Sequence, residues 1–227
     1  MTVLPNNTFN LSLLRKEDST VSSEMIDLIC QMNMKKIQSQ LVLQCAPLIV
    51  GLKISNLFVT DPGSIRSLKQ ILDKTGISFY VLTSTPEKAT CFLFRKESIQ
   101  KYLNIKENYA FLNRYGYQKE LSLTEKMLRF RGRYAAYLRG ESEFPHEMGI
   151  FLGYPVEDVE GFIKNDGKNF LYSGYWKVYK DVDKKKELFD LYEIAKETLV
   201  CILAGGVSIR EIIETYCGGQ SKLSAAV

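Results

Sequence analysis

Two short runs constrain this fold more than any other feature of the chain. Ile77 to Thr83 and Thr90 to Arg95 are rich in β-branched and aromatic residues and are joined by the turn STPEKA, so they read as successive strands. Helix signals lie on both sides of them. Asp61-Pro62 reads as an N-cap and N1 pair opening a helix over 62–75 that Gly76 closes. Ser122 with Glu125 forms a capping-box pattern for a helix running to about Arg139 and closed by Gly140. Ser208 with Glu211 forms a second one for a helix reaching Cys217. Between residues 23 and 44, Met25, Ile26, Ile29, Cys30, Met32, Ile37 and Leu41 recur mostly at three- and four-residue steps. That spacing predicts a long amphipathic helix that Pro47 interrupts, with Cys45 near its C-terminus. Shorter helices are expected at 96–104, 106–114 and 156–164, an apolar run at 148–152, an extended GYWKVY at 174–179, and a long helix at 182–204 ended by Gly205-Gly206. No repeat or low-complexity linker divides the chain. The expected architecture is a single α/β (or α+β) domain over 23–217, with a few-stranded mixed sheet covered by several helices. An N-terminal extension at 1–22 and a tail at 218–227 flank it.

Composition excludes several functions. The chain of 227 residues is 45% apolar, enough to bury a substantial core. Its net charge of +4, from 30 basic and 26 acidic residues, is too small to point to nucleic acid or an anionic membrane as the main partner. Five cysteines, Cys30, Cys45, Cys91, Cys201 and Cys217, stand at wide spacings without a C-x-x-C pair, which fits reduced thiols in a cytosol. No segment approaches the roughly 20 apolar residues of a bilayer span, and the N-terminus lacks a basic start followed by a long apolar run. A cytoplasmic chain is therefore expected. No GxGxxG follows a strand and no GxxxxGK[ST] exists, so neither a dinucleotide fingerprint nor a phosphate loop is present.

Residues 144–179, FPHEMGIFLGYPVEDVEGFIKNDGKNFLYSGYWKVY, hold the single histidine and the single tryptophan of the chain among glycines, prolines and acids. That concentration marks a ligand site. A thiol and an imidazole, Cys45 and His146, are the pair that nucleophilic catalysis needs, with Glu147 or Asp158 to orient the ring. A cysteine at a helix C-terminus faces the negative end of the dipole, which disfavours its thiolate unless a protonated His146 stands beside it. Lys53, Gly153, Tyr154, Asn165, Trp176, Lys177 and Tyr179 are the candidate ligand-binding residues. The glycines interleaved with aromatics in this span would let backbone approach a planar ligand between aromatic walls. His146-Glu147 is not a zinc-protease motif, because HExxH requires histidine where Ile150 stands. One histidine and dispersed cysteines argue against structural zinc and leave haem, flavin or iron open. Arg129, Arg131, Arg133 and Arg139 are scattered around one helix, which predicts a solvated face with one inward arginine pairing a carboxylate.

Several of these strings together resemble a known family. Cys45 to Pro47, Gly51 to Lys53, Phe144 to Gly149, Leu152 to Pro155 and Trp176 to Tyr179 resemble the Cys-Ala-Pro, Gly-Leu-Lys, Phe-Pro-His-Glu-Ile-Gly, Leu-Gly-Tyr-Pro and Trp-Lys-Val-Tyr strings of the bacterial domain-of-unknown-function family 3793. The likeness spans roughly residues 25 to 215. Met148 stands where isoleucine or leucine is usual, and Ile54-Ser55 where a Pro-Ala pair is usual. The resemblance brings no activity with it and implies a setting in anaerobic redox or iron metabolism.

Three function classes follow. The first is a small-molecule enzyme with a Cys/His-centred site in 45–53 and 144–179, placed first because Cys, His, Glu, Asp, Lys and Tyr all recur in those segments. The second is a protein handling a cofactor, haem or iron, and the third is a regulatory partner-binding module. A small-molecule ligand is expected, membrane and nucleic-acid partners are not, and the sequence does not set the oligomeric state.

Overall fold

The computed structural model describes residues 28–223, with side chains as far as 217. The expected extension at 1–22, residues 23–27 of the expected first helix and residues 224–227 of the tail lie outside the described residues. The chain is α+β. It falls into two compact units, one made of Ile54–Phe189 and the other of the described residues up to Lys53 and from Asp190 onward.

In the second of these, helix Ile37–Ile49 packs against helix Ile209–Leu223. The expected continuous helix over 23–44 is broken: residues 28–31 are helical, and 32–36 form turns. Asn33 explains the break, since its side-chain oxygen captures the Lys35 amide at 3.0 Å and offers the backbone an alternative to the helical ladder. Pro47 does not end the next helix but sits inside its last turn. One lost amide donor near a helix end is a small cost beside the burial of Leu48, Ile49 and Val50. The true stop is Gly51, at φ +86°. Helix Ile209–Leu223 begins at the expected Ser208–Glu211 capping box and continues past Cys217 into the expected tail.

In Ile54–Phe189 the sheet has three strands, β1 (Ser55–Thr60), β2 (Ile77–Ser84) and β3 (Ala89–Arg95), in the order β1-β3-β2. Both pairings are antiparallel, where a mixed sheet was expected. The hairpin turn between β2 and β3 enforces one pairing, and β1 takes the other edge of β3 in the opposite sense to it. Every residue of β3 is buried, as befits a central strand covered on both faces. β1 was not foreseen; its alternation is imperfect, with Leu57 and Phe58 adjacent and both turned from solvent to different degrees.

The core of this unit joins sheet to helices through aromatic rings. Phe92 of β3 meets Phe130 of helix Leu123–Leu138 and Phe151 of helix Met148–Phe151, and those two rings stack at 4.6 Å. The Ser122–Glu125 capping box starts the long helix, as its sequence predicts. Ser55 Oγ donates to the Phe151 carbonyl at 2.6 Å, and Tyr102 Oη to the Tyr154 carbonyl at 2.7 Å, so the short helix and its following turn are fixed from two sides. Gly153, at φ +78°, makes that turn. Helix Val156–Lys164 follows, then a ribbon of two-residue strands, β4 (Tyr172–Ser173) and β5 (Lys177–Val178), in place of a longer extended run.

Candidate functional site

His146 is placed by the residue after it. Glu147 is fully buried and forms an ion pair with Arg133 Nε, a second contact with Arg133 Nη2 at 3.4 Å, and accepts from Tyr117 Oη at 3.1 Å. Arg133 is thus the inward arginine that the helix pattern predicts. Its pairing anchors the loop and leaves Glu147 no role as a group facing ligand. Burial and the Glu147 charge together push the Tyr117 hydroxyl far above its ordinary range, so it stays a donor.

The His146 ring stands between Phe144 and Phe162, at centroid distances of 5.4 and 5.9 Å. Among the described residues its nitrogens have no hydrogen-bond partner. Burial is the main cause that lowers its pKa, with Glu147 and Glu143 acting against it and Arg133 with it; the ring is neutral at pH 7.

A second part of the lining is organised by Asp158. One carboxylate oxygen accepts from Trp176 Nε1 at 2.8 Å, and the other from the Tyr179 amide at 2.8 Å. Lys185 Nζ lies 3.7 Å away and is shared with Glu157 at 3.1 Å. Asp158 thus holds Trp176 in place, stacked on Tyr154 at 4.7 Å and edge-on to Phe189 at 4.5 Å. Burial pushes the Tyr154 hydroxyl up to about 12.

That lining bounds a pocket of about 350 Å³. Its rings are Phe144, Tyr154, Phe162, Tyr175 and Trp176; Met148, Leu152 and Val159 complete the apolar lining; His146, Asp158 and Lys177 are its charged or titratable members. Lys177 Nζ donates to the Gly167 carbonyl at 2.6 Å and lies over the rings of Phe162 and Phe170, at 5.6 and 5.0 Å. The dimensions are those of a small-molecule site.

Of the residues singled out in the sequence, His146, Tyr154, Asp158, Trp176 and Lys177 meet at this pocket. Gly153 shapes the turn beside it. Asn165 ends helix Val156–Lys164, its amide donating to the Gly161 carbonyl at 2.8 Å. The Tyr179 ring lies on that helix against Gly161, where a β-carbon would collide with it. That glycine, like Gly174 against Phe189, makes room for the protein's own ring and not for a ligand. Cys45 and Lys53 belong to the other unit. Cys45 is wholly buried, and burial lowers the Lys53 amine to about 8, partly offset by the Cys45 thiol. Phe162 and Tyr175 are among the aromatics that the sequence interleaves with glycines as walls for a ligand; Phe144, Met148, Leu152 and Val159 were not chosen from sequence, and the spacing of Val159 and Phe162 on helix Val156–Lys164 was the signal available for Val159. Among the described residues no group of three or more His, Cys, Asp or Glu side chains gathers to hold a metal, and no helix is long and apolar enough to cross a membrane.

The model of one family, described as a protein of unknown function (DUF3793), matches residues 41–213. The chain belongs to that family. The match takes in every residue of the DUF3793 pocket, together with Cys45 and Lys53. Neither a curated protein nor a solved structure matches the chain.

Proposed function

We propose that this DUF3793 chain binds a small, flat, largely apolar molecule in the aromatic pocket of its Ile54–Phe189 unit. The observation that carries the reading is the lining itself. Five rings and three aliphatic side chains surround about 350 Å³, with an imidazole that makes no other hydrogen bond at its edge. Contact with the lining rings would supply the affinity and His146 the orientation. Both carboxylates that the sequence offered as partners for His146 are engaged, Glu147 with Arg133 and Asp158 with Trp176 and Tyr179. An acid–base triad around the imidazole therefore has less support than a binding role.

The single tryptophan gives the test a local reporter. Protein labelled with 5-fluorotryptophan has one ¹⁹F resonance, from position 176. Titration with 2-naphthamide is expected to move that resonance saturably, and Phe162→Ala to weaken the response about tenfold, the loss of one ring face. An unmoved resonance at millimolar probe in folded protein would overturn the proposal.

A further inference from the structure

The polar groups of the pocket differ in how much bonding capacity they have left, and that difference sets the charge of the occupant. Asp158 is committed to the protein: it is buried, each oxygen accepts a short hydrogen bond from Trp176 or Tyr179, and Lys185 stands 3.7 Å away. Lys177 is the reverse case. Its ammonium has three donors, of which the Gly167 carbonyl takes one, and two aromatic faces hold it in place. A cation fixed this way needs little further ordering to meet a ligand. Glu143 is exposed, so water and salt screen its charge from the pocket. Glu147 is neutralised by Arg133.

On the strength of the reading above, we propose that the occupant is an aromatic acid: a flat ring system seated among the rings of the pocket whose carboxylate, or an equivalent anionic group, meets the ammonium of Lys177. His146 serves as a second hydrogen-bonding group of the lining. A cationic ligand would face the Lys177 ammonium, and the one carboxylate of the lining, Asp158, is already bonded to Trp176 and Tyr179; a neutral one would leave the two remaining Lys177 donors to water.

Three probes of one shape separate this from the reading it rests on. Calorimetric titration of the full chain with 2-naphthoate, 2-naphthamide and 2-naphthylmethylammonium is expected to rank them in that order, the anion about tenfold tighter than the amide. In Lys177→Gln, naphthoate should fall to the affinity of the amide while the amide changes little. Equal affinities of naphthoate and naphthamide for the unaltered chain would overturn the assignment of an acid and leave the pocket reading standing. So would equal losses of both probes in the variant. Binding of none of the three would sink both. The ranking in the unaltered chain decides the matter even if Lys177→Gln does not fold.

Discussion

Arg133 and Glu147 show how much depends on one pair of side chains. Glu147 has no solvent contact, whereas the Arg133 side chain is 36% exposed, so the two ends of the pair are not equivalent. Arg133→Met strands a buried carboxylate and is expected to lower stability by about 3 kcal/mol; Glu147→Gln leaves an arginine that can rehydrate and should cost about 1 kcal/mol. Urea unfolding of the two variants measures the asymmetry, and equal losses would contradict it. His146 carries a pH signature. Its folded pKa lies below the ordinary value of about 6.5, so the unfolded chain takes up this proton first as pH falls. The stability it contributes is whole above about pH 6.5 and is lost as pH drops through the folded value. Melting temperatures of the unaltered chain and of His146→Gln between pH 7 and 5 should diverge in that sense, the variant being the flatter of the two. The residues of the site were legible where chemistry is rare in sequence: one histidine, one tryptophan and their neighbours meet at the pocket. Asp158 was legible as a site residue but not as a structural one, because the hydrogen bonds that engage it arrive from Trp176 and Tyr179, beyond the helix that carries it.

At the scale of elements, helix Met148–Phe151 is too short to hold itself, since a single turn repays little of its nucleation cost. It is held by Ser55, by the Phe130–Phe151 stack and by the turn at Gly153. Gly153→Ala forces a β-carbon into a left-handed conformation against Ile54 and is expected to cost about 1–2 kcal/mol. It should also shift the ¹⁹F resonance of Trp176, since Tyr154 follows the turn and stacks on that indole. A stability loss without that shift would separate the turn from the pocket. Caps were the most readable part of the fold: both capping boxes, the Asp61 cap and helix Val156–Lys164 stand where the sequence puts them, whereas the helix expected over 62–75 is a 3-10 turn at Pro62–Ser64 and a helix Ile65–Leu72 that stops short of Gly76. Pro47 misled because the burial of its neighbours Cys45, Ala46, Leu48 and Ile49, which a proline rule does not weigh, offsets the helical hydrogen bond it removes. β1 escaped notice because its partner β3 lies some thirty residues further on, and periodicity within a window does not see pairing.

For the molecule as a whole, the sequence made plain an α+β chain of few strands and many helices, and the family match covers most of it. What it could not convey was how the chain divides. Contacts gather into Ile54–Phe189 and into a second unit assembled from the two ends of the chain, a grouping that adjacency in sequence cannot reveal. That second unit contains Lys53, 7% exposed, whose amine is held at about 8 by burial against an ordinary value near 10.4. Between those two values an unfolded chain keeps this proton and a folded one does not. Folding in mildly alkaline solution therefore expels a proton at Lys53, and the protein gains stability from this residue as the solution becomes more basic. To the surrounding buffer, this one residue's share of folding is the addition of a weak acid.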